Sequence, residues 1–489
     1  MAVMPTSSRT ALARIVDAAP PRATPVGCVD VGSTFTKLAV VEGGTGRLLA
    51  VAAHPTTADA VEGVDACRLA AGAVLGVVPD ELTGCSSAGG GLRLAVVGQE
   101  RLVSAEAGRR VALSAGARVV RLCTGRLDPA GVADLLDARP DVVLLVGGTD
   151  GGDDTVLRHN AAALADAALT VPVVVAGNIM IRDEVCARLE QAGTVVFPTA
   201  NVLPDIGEID PGPARAVIRE VFLRHVIGGR NLSATPRFAR LVRAVTPDAV
   251  LDGVTVLAGV CQAADPDGGG ILVVDVGGAT TDVYSVLVGE DGVSRHAVGE
   301  MPERRTVEGD LGVRFSAPWV VDAAVAQRLV SSAEEPDLRA AAVRRAEDRG
   351  YLPESPAEAA VDARLATLAA TVAVRRHLGA VGAGARGIAR VVCSGGVFRH
   401  AGPTERAEML TCLRQDPSLR GPLGTATVGV DRHYVLAAVG LLARTDPPAA
   451  RALAAGHLGG DHGQVDAAPT PRVERTAHTD PADVEGNDL

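Results

Sequence analysis

Lysine is almost missing from this 489-residue chain: Lys37 stands alone among 47 basic side chains, the other 46 being arginine. Asparagine is scarce too, while alanine, glycine, arginine and proline abound. A GC-rich coding bias that turns lysine into arginine wherever arginine serves gives this pattern. Lys37 then marks a place where the wider guanidinium would not serve. Aromatic residues are only 2% of the chain, with one Trp, three Tyr and six Phe, too few for a stacking platform. The formal net charge of −11 gives no electrostatic reason to bind nucleic acid or a membrane surface. No Cys-x-x-Cys pair occurs among the eight cysteines (28, 67, 85, 123, 186, 261, 393 and 412), which argues against zinc ribbons and thioredoxin-like redox motifs. Free thiols in a reducing cytoplasm are expected instead. The longest apolar stretches, such as Val142–Val146 and Tyr434–Ala443, fall far short of the ~18–20 residues of a membrane span. Arg9 and Arg14 precede no uninterrupted apolar run, unlike a signal peptide. The expectation is a cytoplasmic protein with no nucleic-acid and no membrane partner.

What is present is a globular chain, 47% hydrophobic and 21% charged, long enough for two or three domains. Residues 1–24 and the acidic tail 457–489 lack apolar periodicity and are expected to be disordered. Val26–Val31, Lys37–Glu42 and Leu48–Ala52 read as three strands of an antiparallel meander, followed by a helix to about Leu75. Short apolar runs at Leu92–Val97, Arg118–Leu122, Val142–Val146, Val171–Ala176 and Thr194–Phe197 then alternate with helical stretches. That is the pattern of a parallel sheet covered by helices. Pro211–Ile227 reads as a helix crossing to a second lobe, which opens with strands Ile271–Val276 and Thr281–Val288 and later has the strand Ile388–Cys393. The domain reading is a first lobe at 25–210, with an extra α/β region at about 92–200, and a second lobe at 211–456. A cleft lies between them.

Each lobe opens on the same element. Asp30-Val31-Gly32-Ser33-Thr34-Phe35-Thr36-Lys37 and Asp275-Val276-Gly277-Gly278-Ala279-Thr280-Thr281-Asp282 both place an Asp at a strand end, then glycine, then hydroxyl residues. Glycine lets the backbone approach a phosphate without a Cβ in the way. Backbone N–H groups and hydroxyls donate to phosphate oxygens. An Asp at each strand end can hold the waters of Mg²⁺. Two such loops facing each other would grip a triphosphate from both sides. A third turn, Cys393-Ser394-Gly395-Gly396-Val397-Phe398, would let a flat purine lie over the backbone at Gly395 and Gly396.

In order and spacing the three loops resemble the first phosphate, second phosphate and adenosine motifs of the actin, sugar-kinase and Hsp70 ATPase superfamily. The second is similar to the Hsp70 form, and Glu308-Gly309-Asp310-Leu311-Gly312 resembles a segment downstream of it in that group. The resemblance implies an α/β, two-lobed actin-like ATPase fold with ribonuclease H-like lobes, enlarged in the first lobe by an α/β insertion, and it implies ATP and Mg²⁺. A narrower resemblance covers nearly all of 26–445. It rests on Asp30–Lys37, Cys85-Ser86-Ser87-Ala88-Gly89-Gly90, Leu145–Gly152, Pro204-Asp205-Ile206-Gly207-Glu208 and Arg305–Gly312. These together resemble the methylaspartate (glutamate) mutase accessory family. That likeness implies an ATP-dependent chaperone whose client is the subunits of an adenosylcobalamin-dependent mutase, with damaged cobalamin exchanged through lobe motion.

Carried over residue by residue, Asp275 would position Mg²⁺ and the attacking water, with Asp30 its counterpart, both through water. Ser33, Thr34, Thr280 and Thr281 would contact the β/γ-phosphates beside Gly32, Gly277 and Gly278. Asp282 would either orient the loop or metal shell or hold the hairpin. Lys37 has three readings: a phosphate contact, a carboxylate or partner contact, or chance survival. Asn178 and Asn201 are expected as left-handed turn residues. Gly147–Gly152, at a strand's carboxyl end, is either a ligand loop or a plain βα connection. Two other functions fit the same loops, a small-molecule (sugar or carboxylate) kinase and a nucleotide-gated scaffold with little turnover. A radical-generating dehydratase activator of the superfamily is disfavoured by the missing cluster cysteines.

Overall fold

The structure, a computed structural model, describes residues 11–459 apart from 33, 58, 88–91, 101–104, 106, 109–110, 113–116, 207, 223–235, 289–302, 349 and 383–386. Its strands are β1 (Leu12–Ile15), β2 (Pro25–Val31), β3 (Phe35–Glu42), β4 (Leu48–Pro55), β5 (Glu81–Ser86), β6 (Arg93–Gly98), β7 (Arg118–Thr124), β8 (Val142–Leu145), β9 (Val173–Val175), β10 (Val196–Pro198), β11 (Val242–Val245), β12 (Gly270–Val276), β13 (Thr281–Val286), β14 (Glu303–Glu308), β15 (Ile388–Ser394) and β16 (Thr427–Val430).

Three sheets result. The first runs β1-β4-β3-β2-β5-β11, and another runs β14-β13-β12-β15-β16. Without the edge strand β1, the two have one topology: three antiparallel strands, then two more joined in parallel. This duplicated order defines the fold as two ribonuclease H-like lobes of the actin-like ATPase kind. The third sheet, β10-β9-β8-β6-β7, is all parallel and is inserted between β5 and β11 of the first lobe. One of its faces shares the first lobe's core through Leu94, Leu144 and Val174, and the other packs its own helices through Val97 and Leu145, against Leu164 among others.

Two boundaries differ from expectation. Residues 242–245 return to the first sheet as β11, so the first lobe extends past 210 rather than ending there. A four-residue strand between two helices is too short for periodicity to reveal; the helix expected at Pro211–Ile227 is described over Gly212–Val221. Within the segment 1–24, expected to be disordered, Leu12–Ile15 pair with β4. The backbone of β4's free edge supplies that order, with Ala13 partly buried against the first lobe's core. At the other end the helix Pro447–His457 is capped by Asp446, and residues 460–489 of the expected tail lie outside the described residues. Asn178 and Asn201 are not left-handed turn residues, for neither has a positive φ. Both are buried and brace loops through side-chain hydrogen bonds.

The lobes are joined by helices Thr246–Ala264 and Val435–Thr445, which lie between the two sheets. Their shared core takes Cys28 and Ala39 from one sheet and Ile271 and Val273 from the other. The helices cross at glycines. A Cβ on Gly440 would lie 1.8 Å from Ala249 O, and one on Gly253 would lie 2.2 Å from Leu436 O. Only glycine admits that approach.

A buried histidine bolts the second lobe. His377, from the helix Pro356–Val381, places Nε2 2.9 Å from Ser285 Oγ and Nδ1 3.1 Å from Thr306 Oγ1, joining the helix to β13 and β14. Burial, aided by Arg304, pushes its pKa down from 6.5 to about 4. The folded state resists a proton that the unfolded chain accepts, so stability is held above pH 6.5 and lost as pH falls from about 6.5 toward 4. The loss is about 3 kcal/mol from this group. Urea unfolding of wild type and His377→Gln, compared at pH 7 and pH 5, is expected to show a midpoint difference that shrinks at the lower pH.

Candidate active site

The two Gly-turn hairpins are superimposable in register. In β2–β3, Asp30 pairs with Lys37 and Val31 with Thr36; in β12–β13, Asp275 pairs with Asp282 and Val276 with Thr281. Each turn closes through the same bond: Gly32 N donates to Phe35 O at 3.0 Å, and Gly277 N to Thr280 O at 2.9 Å. A Cβ on Gly32 would lie 2.8 Å from Phe35 O and one on Gly277 3.0 Å from Thr280 O, so glycine is what lets the turns close. The turns also meet across the cleft. A Cβ on Gly278 would lie 3.2 Å from Thr34 Oγ1. Ser33 lies outside the described residues.

Period-two alternation puts Asp30 and Asp275 on the faces turned toward the central helices. Asp30 is held at both oxygens. Thr246 Oγ1 donates to Oδ1 at 2.6 Å, and Lys37 Nζ donates to Oδ2 at 3.1 Å. Asp275 lies beside Ser394, its register partner on β15. Burial pushes the Asp275 carboxyl up to about 6, with Lys37 pulling it down, Asp282 and Asp30 pushing it up, and a Ser394 hydrogen bond lowering it. Burial opposes the charge of Lys37, but Asp30, Tyr434 and Asp275 overcome it and raise its pKa above the ordinary value. One ammonium thus serves two strand-end carboxylates, which leaves that group of three a net negative charge.

One expected phosphate contact takes another role, and one of the two readings of Asp282 is favoured. Thr281 is buried on the core side with Val283, and its hydroxyl donates to Leu311 O, so it fastens the loop from behind and does not face a phosphate. Asp282 accepts from Arg305 Nη2 at 2.6 Å and from Thr280 Oγ1 at 3.3 Å, which favours the hairpin-holding reading of this residue. Thr280 and Thr34 are half-buried, and Thr34 lies at the meeting of the turns.

The adenosine-type turn abuts the second loop. Gly395 has φ +115°, and a Cβ there would lie 2.2 Å from Val276 O. Gly396 begins the short helix Gly396–His400, and a Cβ on it would lie 3.5 Å from Tyr434 Oη. From the other side, Val313 N donates to Gly277 O at 3.1 Å, and Arg314 N and Phe315 N donate to Gly278 O at 2.8 and 2.9 Å. Ser316 Oγ donates to Ala279 O at 2.8 Å. Gly312 is required because Ala279 C would lie 2.3 Å from any Cβ there. Trp319, the chain's one tryptophan, packs edge-on against Phe315 with centroids 6.3 Å apart.

Sequence reasoning missed Tyr434 and Arg399. Lys37 Nζ lies 4.4 Å and Arg399 Cζ 4.6 Å from the centroid of the Tyr434 ring, and Tyr434 itself has φ +55°. One of only three tyrosines, placed just ahead of an apolar helix, was the available signal. The Lys37 ammonium therefore fits between an acid and a ring, where a guanidinium fork needs more room. Lys37→Arg is expected to keep the fold and to lower nucleotide turnover about tenfold. Equal turnover by steady-state phosphate release would return this lysine to coding chance.

Among the described residues no three metal-ligating side chains converge and no helix is long and apolar enough to cross a membrane. The carboxylates of Asp30 and Asp275 are hard oxygen donors of the kind Mg²⁺ takes, one or two at a time, alongside water and phosphate. Their excess negative charge and the two glycine turns fit a magnesium-bound phosphate chain.

Among solved structures, an acetone carboxylase is 15% identical, covering 86% of this chain and 70% of its own, with a TM-score of 0.39. A xylulose kinase from Bifidobacterium adolescentis is 14% identical, covering 90% and 94%, with a TM-score of 0.30. At these values the fold rests on the strand order above, not on the likeness. A curated relative, "Protein MutL" of Clostridium tetanomorphum, is 33% identical over 461 residues, covering 86% of this chain and 96% of that protein. The family described as "MutL protein" matches residues 26–458. The chain belongs to the MutL protein family.

Proposed function

We propose that the chain is an ATP-dependent accessory protein that reactivates an adenosylcobalamin-dependent glutamate (methylaspartate) mutase, exchanging damaged cobalamin through nucleotide-driven lobe motion in the cytoplasm. The observation that carries the nucleotide part is the pair of hairpins, identical in register, whose strand-end acids share Lys37 and whose turns meet at Thr34 and Gly278. The client follows from the resemblance of residues 26–445 to the mutase accessory family.

In this reading Asp30 and Asp275 hold the waters of Mg²⁺, which when bound shields phosphate charge. Backbone N–H groups of the two turns and the hydroxyls of Thr34 and Thr280 donate to phosphate oxygens. Gly395 and Gly396 leave room for a flat base over the backbone. Asp275, its carboxyl pushed up to about 6 by burial, stays largely ionised at neutral pH and can accept a hydrogen bond from an attacking water. Lys37 and Thr246 fix Asp30, and Asp282 with Arg305 fixes the second hairpin. Loops from both lobes close on one ligand, so the helices Thr246–Ala264 and Val435–Thr445 carry the change between lobes.

The test uses a glutamate mutase inactivated with cyanocobalamin. Adding the chain, free adenosylcobalamin and Mg-ATP is expected to restore activity, and omitting ATP to prevent it. No recovery, alongside phosphorylation of a sugar or acid, would transfer the site to the kinase class.

A further inference from the structure

We infer that the carboxyl edge of the inserted parallel sheet is the docking face for the client mutase, whose contact surface is apolar with a basic rim. The inference rests on the client reading above and assigns it a surface remote from the nucleotide turns in sequence. The inserted strands lie in the order β7-β6-β8-β9-β10, so the connections diverge at β6 and β8, the place where open parallel sheets expose their binding edge. The Gly147–Gly152 loop leaves β8 there.

That loop's polar groups are tied to its neighbours. Asp150 Oδ1 accepts from Ile179 N at 2.9 Å and from Asn201 Nδ2 at 2.8 Å, while Asp150 N donates to Pro204 O at 3.0 Å. Asn178 Oδ1 accepts from Gly151 N at 3.1 Å and Met180 N at 3.0 Å. Three connections, after β8, β9 and β10, are thereby pinned into one platform. The reading as a plain βα connection understates this, and a ligand cradle would need these groups free.

The platform presents apolar side chains to water. Ile179 is 41%, Met180 73% and Ile206 88% exposed. An isoleucine held so far out on a braced loop is an anchor without a pocket. Around it acidic side chains predominate, with Asp183 and Glu184 exposed and the half-buried Arg182 paired to Asp183. Asp205, Glu208 and Asp210 are exposed, and the backbones of Asp205 and Glu208 pair, Glu208 N donating to Asp205 O at 3.1 Å. No lysine or arginine falls between 205 and 210. An acidic rim about an apolar centre is complementary to an apolar patch ringed by lysine or arginine.

The full chain and purified glutamate mutase subunits are compared by calorimetry. Ile206→Asp is expected to weaken association about tenfold or more. Leu69→Asp, on an exposed apolar residue of helix Ala60–Leu75, is expected to leave it within about twofold. Rising salt should weaken the wild-type complex through the screened rim. The Mg-ATP response of Ile206→Asp should match wild type, which shows that the variant is folded. Wild-type binding that survives Ile206→Asp overturns this surface while leaving the client reading intact. A wild-type chain that binds no mutase subunit overturns both.

Discussion

Asp275→Ala is expected to lower Mg-ATP turnover about a hundredfold or more while leaving the chain folded. The carboxylate closes a strand at the foot of the second turn, hydrogen-bonded by Ser394 and placed near Lys37 and Asp30. On the proposed reading its removal takes one of two oxygen donors for Mg²⁺ and the group that orients water. It also removes a carboxylate that burial, with Asp282 and Asp30 nearby, pushes up to about 6, so stability should rise or stay level. Asp282→Ala, on the register partner, is expected to behave in the opposite way. Arg305 is almost wholly buried and holds Asp282 through two nitrogens, so its loss strands a buried cation and costs about 3 kcal/mol or more. Phosphate release and urea unfolding on both variants separate the roles. If Asp275→Ala retains turnover, the assignment of the strand-end acids is wrong.

Gly440→Val is expected to be the most damaging substitution outside the nucleotide turns. The helices Thr246–Ala264 and Val435–Thr445 touch backbone to backbone, and a Cβ would overlap Ala249 O at 1.8 Å. Backbone cannot yield as a side-chain tip does, so the helices must separate, and with them the faces of both sheets. Overpacking at such a site costs about 3 kcal/mol. Gly259, on the outer face of the same helix as Gly253, has nothing within 4 Å of its Cβ position. Gly259→Ala should therefore stabilise by about 1 kcal/mol through helix propensity alone. Thermal unfolding of the two variants tests whether the contact, and not glycine content, sets the stability of the layer between the lobes.

Much of the site was legible because it is local. The Asp-x-Gly hairpins, their matching offset and the Gly395–Gly396 turn lie within runs of eight residues or fewer, where alternation and glycine carry the signal. Alternation also separates Thr281 from Asp282. Thr281 falls on the same side of β13 as Val283, the core side, whereas Asp282 falls on the other. What stayed hidden depends on distant partners. Thr246 and Asp30 are 216 residues apart, yet share a hydrogen bond. Tyr434 reaches Lys37 only because the last central helix returns to the first lobe. The strands β1 and β11 are four residues each, ordered by edge pairing with β4 and β5, and neither has a period to read. The Glu308–Gly312 segment reads as a motif, but its task needs the fold: Leu311 O accepts from Thr281, Gly312 lies against Ala279, and the backbone of 313–315 just after it holds the second loop.

That backing supplies the most direct test of the central claim, that two facing hairpins form one magnesium–nucleotide site. Trp319 sits 51% exposed against Phe315, whose N–H is bonded to Gly278 O, so occupancy of the second loop must alter its surroundings. The measurement is Trp319 fluorescence during titration of the full chain with Mg-ATP, repeated with Asp30→Asn/Asp275→Asn. The expected result is a saturable change in wild type that is lost, or shifted about a hundredfold in concentration, in the double variant. A flat wild-type signal, or an identical titration without the two carboxylates, would contradict the site.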